Sequence, residues 1–90
     1  MAVIGDITLG TGINDIVVSG FSAVPNYPVV DATLIAHPSN TGVLYVRKRT
    51  TTGFGYPLTA GASLVIAKDN MADYTASGVS GQRLAYIINR

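Results

Sequence analysis

Valine, isoleucine and threonine supply 27 of the 90 residues, and glutamate supplies none. Branching at Cβ restricts χ1 and suits the pleated surface of a sheet. Helix surfaces are normally built from Glu, Lys, Arg and Ala, and this chain has no Glu and only two Lys. Ten Gly and four Pro provide punctuation for turns. The chain therefore has to fold as an all-β protein. At 90 residues it has room for one small domain, spanning 1–90, in which roughly 60–65% of the unfolded surface is buried.

The clearest strand signal is Val29–His37, where Ala32, Leu34 and Ala36 share one face and Asp31, Thr33, Ile35 and His37 share the other. Before it, Ala2–Leu9 reads as a strand ending at Gly10–Thr11–Gly12. Ile13–Ser19 reads as a second strand, and Phe21–Pro28, with two prolines, as a loop. Pro38–Gly42 has the residues of a hairpin turn, so Val43–Thr51 is expected to return alongside Val29–His37. In that strand Val43, Tyr45, Arg47 and Arg49 alternate with Leu44, Val46 and Lys48. Thr52–Gly61 is a glycine-rich loop, with Pro57–Leu58 re-entering the core and Tyr56 packing inward. Ser63–Lys68 is a strand with Leu64 and Ile66 inward, and Asp69–Asp73 forms one helical turn capped by Asp69. Tyr74–Ser77 and Gln82–Asn89 are expected to form a final hairpin around Gly78–Gly81. Six to seven short strands with turn signals every 8–12 residues predict a small antiparallel β-sandwich or barrel.

Charge is scarce. Charged residues are 12% of the chain, about half the usual share, and the net charge is +1. Such a balance selects no partner by bulk electrostatics. With no Cys, disulfides, thiolate metal sites and a cysteine nucleophile are all excluded. Asp6 interrupts the first apolar stretch and no basic region follows Met1, so no export signal is expected. The longest stretch without charge, Thr50–Ala67, contains Gly53, Gly55, Pro57 and Gly61 and does not read as a membrane span.

Chemistry has few candidates. His37 is the single histidine; it reads as a turn residue at a strand end, without an orienting carboxylate nearby in sequence. The five Asp residues are dispersed, and Asp69–Asn70–Asp73 lacks the glycine and closing Glu of a helix-loop-helix calcium site. Gly10–Thr11–Gly12 and Gly53–Phe54–Gly55 are not followed by the Lys and helix of a phosphate loop. No catalytic residue, cofactor or metal site is expected, and no enzymatic activity. Arg47–Lys48–Arg49 is the one charge cluster. Strand alternation puts Arg47 and Arg49 on the face of Tyr45, a strip that could stack and pair with a nucleic acid or bind acidic groups of a protein partner. The near-neutral total disfavours nucleic acid. Phe54, on the glycine-rich loop, is the expected outward contact aromatic. Tyr45, Arg47, Arg49 and Phe54 are the candidate partner-binding residues.

Three segments carry a resemblance. They are His37–Val46 (HPSNTGVLYV), Gly53–Leu64 (GFGYPLTAGASL), and Asp73–Gly78 followed by Gln82–Ile87. Together they resemble small tailed-phage virion proteins with an N-P-S-N-T-G-x-V-Y-V turn and strand, a G-[FY]-P-L-x-A-G-E-S-L segment and an L-Y-x-x-A-S-G segment. Ala62 stands where that pattern has Glu, and Arg47–Lys48 where it has small residues. The likeness covers roughly residues 30–90. It implies a β-sandwich and a structural role, above all as a capsid decoration (cement) protein that stabilises the phage head by bridging coat subunits. Its partners would be the major capsid protein or another virion protein, and copies of itself, with a trimer preferred. It would be made in the host cytoplasm and end on the capsid surface. A neck, tail or fibre-base module and a small nucleic-acid-binding β-barrel are the alternatives.

Overall fold

Ala32, Leu34 and Ala36 are fully buried, while Asp31, Thr33 and Ile35 between them are half-buried on the opposite face. The alternation read from the sequence is thus realised as the central strand of the domain. The structure, a computed structural model, describes residues 2–16, 18–19, 22–23, 26–50, 53 and 55–90. Among these the strands are β1 (Ala2–Thr8), β2 (Ile13–Asp15), β3 (Val18–Ser19), β4 (Ser22–Ala23), β5 (Pro28–Ala36), β6 (Leu44–Lys48), β7 (Tyr56–Leu58), β8 (Ser63–Asn70), β9 (Tyr74–Ser77) and β10 (Arg83–Asn89). A single 3₁₀ turn, Met71–Asp73, joins β8 to β9.

Two four-stranded antiparallel sheets, in the orders β1-β10-β5-β8 and β2-β9-β6-β7, pack face to face as a β-sandwich; β3 and β4 form a separate two-stranded ribbon. Between the sheets, Leu34, Ala32, Leu84, Ile88 and Ile66 of the first layer meet Leu44, Val46, Leu58 and Ala76 of the second. Each of the Leu, Ile and Val side chains contributes about 1.5–3 kcal/mol through burial, and each Ala methyl less.

Several expectations change. The ten strand segments exceed the six to seven expected, because three- and two-residue pieces carry too little alternation to be read. Ile13–Ser19 is two strands in different sheets, with buried Ile16 between them. The expected loop Phe21–Pro28 contains β4 and donates Pro28 to β5. Neither expected hairpin forms: β5 and β6 lie in different sheets, as do β9 and β10. Both connections arch over the same end of the sandwich, and side chains hold them there. The Asn40 amide donates to Arg83 O (2.9 Å) and accepts from Arg83 N–H (2.8 Å), which continues the β5–β10 ladder with a side chain. Buried Gln82 accepts from Val79 N–H at 2.8 Å and donates to Thr41 O at 2.6 Å, which ties the two arches together. Tyr56 is on the inward side of β7, opposite buried Val46, but stays 53% exposed because β7 is an edge strand; Leu58, two residues on, fills the core as expected. The 3₁₀ turn is capped by Asn70, whose Oδ1 accepts from Ala72 N–H (3.0 Å), and not by Asp69.

Asp69 is turned elsewhere by one backbone angle. Lys68 has φ +52°, the only non-glycine left-handed residue among those described. Upstream of it Leu64 and Ile66 face inward. At Lys68 the alternation slips, so Lys68 points to solvent and Asp69 faces the other sheet. The paired strand slips with it: Val29, opposite Asp69, is buried and Val30 is exposed.

Candidate functional site

Tyr45 and Arg47 stand on the outer face of β6, one residue either side of buried Val46, as strand alternation requires. Across the sheet the row runs Ile13–Ser77–Tyr45–Pro57. Ile13, Ser77 and Tyr45 of this row, with Arg47, Gly12, Gly53 and Gly78, line a shallow groove of about 520 Å³. The glycines leave the tyrosine and the guanidinium as its main relief. Arg47 Nη1 donates to Gly53 O at 2.6 Å, so the arginine spans from its strand to the glycine-rich loop.

Arg49 shares this face but is tied into its own domain. Its Nε donates to Ala72 O (2.8 Å), its Nη2 pairs with Asp15 Oδ1, and its backbone N–H donates to Asp73 O (2.8 Å). It braces the 3₁₀ turn against β2, and Asp15 offsets its charge. Lys48, on the inner face, reaches across the sandwich to Asp69 Oδ2 at 3.1 Å. The RKR cluster is thus divided by strand alternation into three separate contacts. Phe54 lies outside the described residues; Gly53 beside it lines the groove.

Lys48, Asp69 and Tyr74 form an inter-sheet cluster that the sequence did not reveal. Tyr74 Oη donates to Asp69 Oδ2 at 2.6 Å, and Lys48 Nζ sits 5.6 Å from the centre of the Tyr74 ring. The Tyr74 hydroxyl, the Asn70 backbone N–H and the Lys48 ammonium hold the Asp69 carboxyl down to about 2. Burial, with the hydrogen bond to Asp69, pushes the Tyr74 phenol up to about 12. The cluster closes one end of an inter-sheet cleft of about 440 Å³, whose apolar walls are Val46, Leu64, Ile66 and Tyr56. Its charges are mutually satisfied, so it serves as a clamp between the sheets.

His37 is placed at the strand end, as expected. Its Nδ1 faces both the Ser39 N–H (3.0 Å) and the Ser39 hydroxyl (2.6 Å), which closes the turn after β5. Among the described residues no group of three or more His, Asp or Glu side chains is arranged to hold a metal ion. No helix among them is long and apolar enough to cross a membrane.

A second surface was also missed. On the outer face of the first sheet, Ile4, Ile87, Thr33 and Val65 form one row across all four strands, with Ile4 76% and Val65 63% exposed. Ala85 and half-buried Ile35 lie in the next row. The carboxylates bordering it have partners within the chain: Arg83 Nη2 pairs with Asp6 Oδ2, and the neutral Asn89 amide donates to Asp31 Oδ1 at 2.6 Å. A signal existed. Val3–Ile4, Val65–Ile66 and Ile87–Ile88 are apolar on both faces of their strands, a pattern that belongs to sheets covered on both sides.

Comparison with known proteins found no family model, curated protein or solved structure that matches this chain.

Proposed function

We propose that this protein is a structural component of a tailed-phage virion, a decoration protein that sits on the capsid and bridges coat subunits. The observation that carries the reading is the row Ile4–Ile87–Thr33–Val65 on the outside of the first sheet, in which three of the four side chains are exposed aliphatics. Isolated exposed aliphatics are ordinary, but a row spanning a whole sheet marks a surface meant to be covered. The small net charge and the few charged residues suit a subunit surrounded by neighbours. The likeness of residues 30–90 to virion proteins supplies the setting, including a preferred trimer. Binding would stabilise the head by mass action, since ligation of the closed lattice opposes its opening.

The groove beside Tyr45 and Arg47 is the second contact surface of this reading, turned toward acidic groups of the coat. An aromatic ring beside an arginine also keeps a nucleic-acid contact open as an alternative. Sedimentation with purified particles tests the proposal. Co-sedimentation in amounts stoichiometric with the coat protein is expected. About a dozen copies per particle would shift the protein to the neck or tail. Absence from particles, with salt-sensitive binding to DNA, would replace the proposal by the nucleic-acid reading.

A further inference from the structure

We propose that copies of this chain join head to tail, β8 of one pairing antiparallel with β1 of the next, so that the first sheet continues from subunit to subunit. The inference rests on the assembly role proposed above and names the surface that carries it.

The four edges of the sandwich are unequal. In the second sheet, β2 and β7 have three residues each, and Pro57 removes an N–H from the middle of β7. In the first sheet, β1 and β8 have seven and eight residues. Long edges of apolar character are usually blunted, because they recruit further strands. Here the charged residues on β1 and β8 are Asp6, paired with Arg83, and Lys68 and Asp69 near one end of β8.

Direction also fits. Each of the three pairings in β1-β10-β5-β8 is antiparallel, so β1 and β8 run in opposite directions. Rotating a copy about an axis parallel to the strands keeps these directions. It brings β8 of one copy antiparallel to β1 of the next. Such a heterologous contact closes into a ring or continues as a filament.

Four of the seven exposed large apolar residues among those described sit on the edge strands; Val30 and Ile87 are on the central strands and Val79 is on a turn. Ile4 and Ile13 lie on the β1/β2 side, Val65 and Tyr56 on the β8/β7 side. Setting Val65 beside Ile4 of the next copy prolongs the apolar row through the joint. The same register sets Ile66 beside Val3 and Ser63 beside Asp6, keeps inner faces with inner faces and opposes no like charges. It also brings half-buried Leu64, on the wall of the inter-sheet cleft, against the edge of the neighbouring core.

The absence of cysteine permits a direct test. Ile4 and Val65 of one chain lie three strand spacings apart, about 14 Å, too far for a disulfide within a subunit. The double variant Ile4→Cys/Val65→Cys is therefore expected to give covalent multimers on oxidation, reversed by reductant. Each single variant should give no covalent product. Separately, Val65→Asp should convert the assembled species to the 9.4 kDa monomer with its melting temperature retained. Wild-type protein that stays monomeric up to its solubility limit overturns the proposal. So does a covalent dimer from Val65→Cys alone, which would mean β8 pairs with β8. The two proposals fail separately. Cross-linked multimers that never bind phage heads sink the virion reading alone. Head binding by a protein that is monomeric and does not cross-link sinks the head-to-tail joint alone.

Discussion

The Tyr74 hydroxyl donates to Asp69 Oδ2 at 2.6 Å, linking the end of one sheet to the start of a strand in the other. The hydrogen bond favours the ionised carboxylate, which is why Asp69 titrates near 2 instead of the ordinary 3.8. A depressed folded-state pKa stabilises the fold above the unfolded value, and that contribution is lost as pH falls from about 4 through about 2. Tyr74→Phe should therefore raise the Asp69 pKa toward 3.8 and move acid unfolding to higher pH. Carboxyl titration by NMR checks this; an unchanged Asp69 in the Phe variant would show that the bond is not what holds it.

The alkaline limb has the opposite sign. The Tyr74 phenol is raised from 10.0 to about 12, so its contribution is complete below pH 10 and declines as pH rises toward 12. Wild type should lose stability across that window, and Tyr74→Phe should lose less, as read by denaturant midpoints at pH 9 and 11. Equal losses in the two proteins would remove Tyr74 as the source.

Lys68 sets where Asp69 points. A non-glycine residue in the left-handed region carries about 1–2 kcal/mol of strain. Lys68→Gly should be close to neutral, because relieved strain offsets the added chain entropy. Lys68→Val should cost at least about 1 kcal/mol, since a β-branched residue tolerates φ +52° poorly. Stability of Lys68→Val equal to that of Lys68→Gly would mean that the slip in alternation does not depend on this angle.

Gly55 has two constraints at once. Its φ is +92°, and a Cβ there would sit 2.6 Å from Val46 O and 2.6 Å from Arg47 Cβ. The first favours glycine, and the second leaves no room for a methyl group between the loop and β6. Gly55→Ala should cost about 2 kcal/mol or more, measured by urea unfolding. A cost near that of an ordinary surface change would mean the loop moves away freely.

The architecture was legible where one face of a strand is apolar and the other polar. Val29–His37 shows this pattern, and the structure differs there by one residue at each end. Strand pairing was not legible. The Pro38–Gly42 segment has the residues of a hairpin turn, yet its geometry is fixed by Gln82 and Arg83, more than forty residues away, so no local reading could assign it to an arch. The same holds for the Asp69 cluster, which depends on Lys68 breaking the period of two. Of the candidate contact residues, alternation correctly gives Tyr45, Arg47 and Arg49 a common face. It did not show that Arg49 is engaged by Asp15 and Ala72, because both partners come from distant strands and turns.

That engagement separates the two arginines. Arg49 ties Ala72 O and Asp15 at the junction of β2, β6 and the 3₁₀ turn, so Arg49→Ser leaves a carbonyl and a carboxylate without it. Its pair with Asp15 is largely exposed, and exposed pairs contribute about 0–1 kcal/mol; the bond to the carbonyl adds about 1 kcal/mol. Arg49→Ser should therefore lower stability by about 1 kcal/mol. Arg47 lines the groove beside Tyr45 and is itself bonded to Gly53 O of the glycine-rich loop, so it is engaged at the groove and not at the 3₁₀ turn. Arg47→Ser should reduce binding to phage heads, more at low salt than at high, and Arg49→Ser should leave that binding unchanged. Denaturant titration and particle sedimentation on the same two variants give the comparison. If Arg49→Ser is the variant that loses particle binding at unchanged stability, the contact lies at the Asp15 end of the face, and the groove is not the capsid-facing surface.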